Sequence, residues 1–179
     1  MTPSPDIVVV TVSEDTVKRF AYRSPVDRAF LADVVDDLLA KGAKRIALDI
    51  LFDQPTTPDK DARLARTLIT AGNRVVIADA PEGRRLIYDG VPVARANLVK
   101  DAWDGTVRRI YTGQGGAPGL AVAVSGGPGA DGPVLIYPPS DTALRALFPT
   151  FEAHSASRLP AGWFSGKTVL VGAELDQTD

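Results

Sequence analysis

The amino-acid sequence predicts an α/β fold, a three-layer sandwich with a mainly parallel central sheet and a short antiparallel insert. Short runs of β-branched residues, typical of strands buried on both faces, alternate with amphipathic helical segments. The joints between these segments are short, which favours parallel strands linked by right-handed crossovers. Asp-Gly pairs, which favour tight turns, occur only after the third of these strands.

The first βα unit begins with a continuous apolar run that predicts a buried strand over residues 7–12. A helix is predicted next, with Ser24 as its N-cap and Pro25 at its first helical position. Apolar residues then recur at helical spacing as far as Leu39. Gly42 is expected to end this helix, because glycine readily adopts the left-handed conformation found there.

The same pattern then repeats. Residues 45–50 predict a second buried strand, and residues 59–71 predict a helix that stops at a glycine. We expect Leu64, Leu68 and Ile69 to occupy the buried face of that helix.

Two more buried strands are predicted, over residues 74–79 and 167–172. All four strand segments have the composition of strands covered on both faces. We therefore expect the last strand to lie beside one of the first three in a single parallel sheet.

The middle of the chain predicts the antiparallel insert. Residues 86–89 and 91–98 flank the Asp89–Gly90 pair, which is a strong hairpin signal. A second turn is predicted at Asp104–Gly105, leading into an extended segment over residues 107–111.

Length and composition limit the classes of protein to consider. The 179 residues fit one domain, 1–179, with a βαβαβ half over 6–80 and the insert, loops and final strand over 81–179. The net charge of −2 argues against a nucleic-acid-binding face. The absence of cysteine excludes disulfides and thiolate zinc sites. No apolar run reaches the length of a membrane span, so contact with a membrane would need flanking spans.

Motifs that would support catalysis are incomplete. Gly166–Thr168 resembles the end of a phosphate-binding loop, but the first glycine is replaced by Ala161 and a strand follows instead of a helix. Residues 113–118 nearly fit a dinucleotide-binding fingerprint, but they lie far from the first strand. His154 has no nucleophile in a recognisable elbow. We therefore predict no catalytic residue and no cofactor.

A divalent-cation site is an alternative that the sequence leaves open. Asp49, Asp53 and Asp79 follow strand ends and supply the carboxylate oxygens that such cations prefer. With them, the chain would be a small cytosolic α/β metal-dependent enzyme. Carboxylates at strand ends are also common loop anchors, so the same residues fit a structural role.

The carboxyl ends of parallel strands meet at one edge of a sheet, where ligands of open α/β sheets bind. Acidic, amide and guanidinium groups from the strand ends and from the insert are expected near this edge. They can hold a small polar ligand, or they can form an internal Asp–Arg network that ties the insert to the sheet. The candidate ligand-binding residues are Arg28, Asp49, Phe52, Asp79, Asn97, Asp104, Arg108 and Arg109.

The order of the sequence segments resembles that of a known family. The blocks are DIVVVTV, SPVDRAFLADVVDDL, AKRIALDILFDQP, KDARLARTLITAGNRVVIAD, ANLVKDAWDGTVRRI and FSGKTVLVGAELDQTD. Together they cover most of residues 6–179 and resemble the CHASE2 domain family. No general ligand-binding residue is carried over from that family.

The resemblance implies a sensory role. CHASE2 domains are extracytoplasmic sensor modules of bacterial membrane receptors whose cytoplasmic outputs are adenylate or guanylate cyclases, histidine kinases or serine/threonine kinases. The resemblance therefore implies a periplasmic part of an inner-membrane protein, without enzyme activity of its own. We expect it to detect an unknown small ligand or periplasmic partner. A homodimer is expected in the full-length receptor, because cyclase and kinase outputs generally act as dimers.

Overall fold

The computed structural model describes residues 6–79, 88–114, 117–126 and 147–175. Most strands are short. They are β1 (Ile7–Ser13), β2 (Arg45–Asp49), β3 (Val75–Ala78), β4 (Val93–Ala94), β5 (Val99–Lys100), β6 (Val107–Arg109), β7 (Gly113–Gln114), β8 (Ala117–Pro118), β9 (Thr150–Glu152) and β10 (Thr168–Glu174). The helices are α1 (Glu14–Val17), α2 (Arg28–Ala40), α3 (Pro58–Ala71) and α4 (Leu120–Ser125).

Within the described residues, a six-stranded sheet runs in the order β4-β3-β2-β10-β1-β9, and every neighbouring pair is parallel. The predicted α/β class with a mainly parallel sheet is confirmed. The last strand, β10, lies between β1 and β2, so it neighbours two of the first three predicted strands. The apolar residues Val169 and Val171 of β10 are fully buried, which agrees with its central position between two partner strands.

One face of this sheet carries the main hydrophobic core. Alternate residues of the central strands, such as Val10 and Leu48, are fully buried with the apolar faces of α2 and α3. Leu38 of α2 and Leu64 of α3 are also fully buried. Each such leucine stabilises the fold by about 1.5–3 kcal/mol through removal of its surface from water.

The helix α2 begins three residues later than predicted. The N-cap is Asp27, whose carboxylate accepts hydrogen bonds from the backbone N–H groups of Ala29 (3.0 Å) and Phe30 (3.1 Å). The predicted cap, Ser24, and Pro25 lie before the helix. Asp27 satisfies two N–H groups that have no partner inside the helix, which explains why the helix begins there.

The predicted buried face of α3 is correct for two residues and wrong for the third. Leu64 and Leu68 are fully buried, whereas 57% of Ile69 is exposed. A helix rotates by about 100° per residue, so Ile69 lies about 140° around the helix from Leu64 and misses the sheet.

The insert differs from the predicted hairpin at its start. Val93–Ala94 forms β4, which pairs in parallel with β3 and extends the main sheet. Most of the predicted partner arm, 86–89, lies outside the described residues. The second predicted turn is confirmed, because β5 and β6 form an antiparallel ribbon around Asp104–Gly105. No helix in the described ranges has both the length and the apolar character needed to cross a membrane.

Candidate functional site

The eight predicted ligand-binding residues do not form one site. The structure separates them into a buried cluster, an open cleft with an ion pair beside it, and a surface ribbon. The buried cluster contains Arg28 and Phe52; the cleft contains Asp49, Asn97 and Arg109; Asp79 lies in the ion pair; and the ribbon carries Asp104 and Arg108.

The buried cluster is centred on Arg28, the first residue of α2, which is 1% exposed. Its guanidinium carbon lies 4.6 Å from the centroid of the Phe52 ring. Nη2 donates to the carbonyl oxygen of Gln54 at 3.3 Å, and Nε lies 3.8 Å from a carboxylate oxygen of Asp61. Burial lowers the pKa of Arg28, because it disfavours the charged form. Arg28 therefore joins the start of α2 to the connection between β2 and α3.

Tyr88 closes this cluster from the insert side. Its ring packs against Phe52 with 5.4 Å between centroids, and burial raises the pKa of its hydroxyl well above the usual value. Within the described part of the chain, the Tyr88 hydroxyl and the Arg28 Nε and Nη1 atoms have no hydrogen-bond partner. Through these contacts the cluster joins the start of α2, the connection between β2 and α3, and the beginning of the insert.

The cleft lies at the carboxyl end of β2, between the insert and the start of α4. Its volume is about 300 Å³. The apolar walls come from the insert and from α4, and include Leu98, Val107, Ile110, Tyr111 and Leu120. The polar groups at the cleft are Asp49, Arg95, Asn97 and Arg109.

Asp49 is the last residue of β2 and projects to the same face as Arg45, because side chains alternate along a strand. Arg45 donates from Nη1 to the carbonyl oxygen of Ala123 in α4 at 2.7 Å, which places α4 on that face. Among the described residues, no donor or cation pairs with the Asp49 carboxylate. The side chain keeps an exposed surface, but partial burial removes some of its hydration and raises its pKa.

Asp79 is held by an arginine that sequence reasoning missed. Arg95 Nε lies 3.0 Å from a carboxylate oxygen of Asp79, and both side chains are partly exposed. The Arg95 backbone also accepts a hydrogen bond from Leu120 N–H at 2.8 Å, which joins this part of the insert to α4. The Asp79–Arg95 ion pair joins the sheet to the insert. This is the kind of contact expected of the internal Asp–Arg network that the sequence left open as an alternative to a ligand site. The short length of β4 places Arg95 at its end, whereas the sequence predicted an uninterrupted strand there.

Asp104 and Arg108 form a surface ion pair on the β5–β6 ribbon. Two guanidinium nitrogens of Arg108 contact the two carboxylate oxygens of Asp104 at 2.8 Å and 2.5 Å. A third contact joins Arg108 to Asp101 at 3.3 Å. The hydrogen bonds from Arg108 hold the pKa of Asp104 well below its usual value. This fork-shaped pairing fixes the turn, so the two residues stabilise the ribbon and do not face the cleft.

The three aspartates of the metal hypothesis do not come together. In the described ranges no three histidine, aspartate or glutamate side chains are grouped closely enough to hold a metal ion. Asp79 is paired with Arg95, and Asp49 borders the cleft without another carboxylate there. The arrangement gives no support to a cation shared by Asp49, Asp53 and Asp79.

His154 takes part in a hydrogen-bonded chain that the sequence did not suggest. Its Nδ1 lies 2.9 Å from the hydroxyl of Thr16, and its Nε2 lies 3.0 Å from a carboxylate oxygen of Glu152. Ser13 donates to the other oxygen of Glu152 at 3.2 Å. The order hydroxyl, imidazole and carboxylate is that of a nucleophilic triad, but Thr16 is fully buried and no substrate reaches it. These hydrogen-bonded side chains therefore join α1 to β9.

Comparison with known proteins identifies one family. A protein-family model described as the CHASE2 domain matches residues 1–178, which is essentially the whole chain. Neither the curated proteins nor the solved structures gave a match.

Proposed function

Since the chain belongs to the CHASE2 domain family, we propose that it is the extracytoplasmic signal-sensing domain of a bacterial transmembrane receptor. The receptor is an inner-membrane protein with a cytoplasmic adenylate or guanylate cyclase or histidine kinase as its output. The observation that carries this proposal is the family match over residues 1–178. CHASE2 domains are extracytoplasmic sensor domains and are not catalytic, so the chain detects a signal and another domain responds to it.

The cleft supports a sensory role because it lies between two parts of the fold, the parallel sheet and the insert. One side is the sheet, which supplies Asp49. The other side is the insert, which supplies Asn97 and Arg109. A ligand that contacts both sides favours one arrangement of the insert over another, and this difference in affinity is what shifts a conformational equilibrium.

In this proposal, the signal reaches the output through a change in how two copies of the receptor pack against each other. The output domains generally act as dimers, so a change in the sensor has an effect when it alters how two copies pack. The isolated chain is a monomer or a weak dimer in this proposal, because membrane helices raise the effective concentration of one copy near another.

The membrane context can be tested directly. The complete gene should encode hydrophobic spans of about 20 residues on both sides of this segment. In the full-length protein, alkaline phosphatase inserted after Asp179 should be active, because that enzyme folds only in an oxidising compartment. Green fluorescent protein inserted at the same position is the control for a cytoplasmic location. Fluorescence together with inactive phosphatase would contradict an extracytoplasmic domain.

A further inference from the structure

Two side chains of opposite charge border the cleft, and neither is paired with another residue that the structure describes. Asp49 comes from the end of β2, and Arg109 comes from the end of β6. Neither forms a hydrogen bond or ion pair with any described residue, and they do not pair with each other. The third charged group at the cleft, Arg95, is already neutralised by Asp79 at 3.0 Å.

The unpaired state of Asp49 distinguishes it from other carboxylates near the sheet and insert. Asp79, Asp104 and Asp27 each contact a cationic side chain. The Asp49 side chain keeps an exposed surface at the cleft, and partial burial raises its pKa. Its carboxylate is therefore accessible from the cleft, and a cationic group of a ligand bound there could pair with it.

The sheet also leaves room beside Asp49. Gly172 of β10 pairs with Asp49 in register. Because Gly172 has no side chain, the β10 position directly beside Asp49 places no side chain against it. A Cβ atom built on Gly172 would lie 4.0 Å from the Asp49 Cβ, so a larger side chain would begin to cover it.

The walls and volume of the cleft indicate the size and shape of its ligand. Leu98 is 68% exposed, and Ile110 and Leu120 also line the cleft. An aliphatic group would cover this surface and be stabilised by removal from water. The volume of about 300 Å³ is at the lower end of the range for ligand pockets, which favours a molecule smaller than a nucleotide.

The opposite charges of Asp49 and Arg109 favour one class of ligand over others. A simple anion would be attracted by Arg109 but repelled by Asp49, and a simple cation would face the reverse. A metal ion would have one carboxylate and two nearby guanidinium groups, which is a poor set of ligands for a hard cation. A zwitterion with an aliphatic body satisfies both charges and the apolar wall.

We propose that the cleft binds a free aliphatic α-amino acid, with its ammonium group at Asp49 and its carboxylate at Arg109. A guanidinium group suits a carboxylate because the two can form parallel charge-assisted hydrogen bonds. This inference deepens the proposed sensory function and rests on it for the signalling role of the bound molecule. Binding itself can be measured on the 179-residue chain without the receptor.

The test is isothermal titration calorimetry of the chain with L-leucine, L-isoleucine and L-valine. Two fragments of L-leucine serve as matched controls: 3-methylbutylamine lacks the carboxylate, and 4-methylpentanoate lacks the ammonium group. At least one of the amino acids should bind, and each fragment should bind at least about tenfold more weakly than the amino acid that binds most tightly, since a charge-assisted hydrogen bond is lost. A fragment that binds as tightly as that amino acid would overturn the proposal, as would the failure of all three amino acids to bind at millimolar concentration.

Single substitutions assign the two ends of the ligand. Asp49→Asn and Arg109→Gln should each weaken amino-acid binding by about tenfold or more. Asp59→Asn and Arg66→Gln remove the same charges from exposed positions on α3 and should bind like the wild type. Circular dichroism melts of every variant confirm that the protein is folded. If the cleft variants bind as well as the α3 controls, the amino-acid site is not this cleft.

The results for the site and for the sensory function can be separated. Amino-acid binding that depends on Asp49 and Arg109 supports the site even if a receptor lacking this domain is regulated normally. Loss of receptor regulation on deletion of the domain supports the sensory function even if no amino acid binds.

Discussion

The guanidinium group of Arg28 lies over the face of the Phe52 ring, with 4.6 Å between its central carbon and the ring centroid. Both side chains are buried, and the contact joins the start of α2 to the connection between β2 and α3. A cation over an aromatic face is stabilised by the ring quadrupole, which offsets part of the cost of burying the charge. The contact lies outside the cleft and belongs to the framework that positions it.

The framework role of Arg28 predicts different effects for two substitutions. Arg28→Ala should lower the free energy of unfolding by about 2–4 kcal/mol, because it leaves a cavity against Phe52. Arg28→Met fills most of the same space and avoids the cavity, but it leaves Asp61 and the Gln54 carbonyl without the guanidinium group, so its cost should be smaller than that of Arg28→Ala without vanishing. Urea denaturation measures both values. Equal, large losses for the two variants would show that the charge of Arg28, rather than its packing, stabilises the fold.

The cap of α2 predicts a graded and pH-dependent loss of stability. Asp27→Ala should cost about 1–2 kcal/mol near neutral pH because two backbone N–H groups lose their acceptor. Asp27→Asn should cost less, because the amide oxygen still caps the helix while the ion pair with Lys60 is lost. Denaturation of the three proteins near neutral pH should give the order wild type, Asn, Ala.

The pH dependence of this cap follows from the direction of the Asp27 pKa shift. Burial alone would raise this pKa, but hydrogen bonds from Lys60 and the backbone outweigh it and lower the value below 3.8. The charged form therefore stabilises the fold above pH 3.8, and this stability is lost as the pH falls through the lowered pKa. The difference between wild type and Asp27→Asn should shrink in that range, and a constant difference would argue against the ion pair.

The raised pKa of Asp49 predicts that the stability of the fold changes with pH in the opposite direction to that caused by Asp27. Burial raises its pKa above 3.8 in the folded state, so ionised Asp49 destabilises the fold and stability falls as the pH rises through that interval. Near neutral pH, Asp49→Asn should melt at the same temperature as the wild type or higher, and any gain should vanish below pH 3.8. Melts across this pH range measure the effect. A lower melting temperature near neutral pH would instead support the structural network predicted from the sequence, in which replacing Asp49 reduces stability.

Removal of divalent cations should have no effect on stability. A ligand that binds only the folded state raises the melting temperature, so a chelator lowers it wherever a bound metal is present. We expect equal melting temperatures for the wild type with and without EDTA. A marked fall on adding EDTA would favour a cation at Asp49, Asp53 or Asp79.

The strands of the sheet could be predicted from the sequence because each is a short, continuous run of mostly apolar, β-branched residues. In Thr168–Glu174, Val169 and Val171 are fully buried and the residues between them are only partly buried, so one face of this central strand is less covered than predicted. The boundary of α2 was wrong because Ser24 and Asp27 are both good caps, and the choice between them depends on tertiary contacts such as that between Asp27 and Lys60.

The cleft could be predicted only in part. Asp49 was expected at the edge of the sheet because it ends a buried strand. The role of Arg95 depends on β4, whose two residues pair with β3 in parallel and give no periodic signal in the sequence. Asp104 and Arg108 were expected at the site, but a turn of four residues brings them to each other instead.

The most direct test of the central claim is to delete residues 6–174 from the full-length receptor, keep its membrane spans, and assay the cyclase or kinase output. Expression and membrane insertion of the shortened receptor are checked by immunoblotting of membrane fractions. If the domain senses a signal, the output should lose its regulation by the conditions that modulate the intact receptor. Activity and regulation identical to the wild type under all of those conditions would contradict the sensory function.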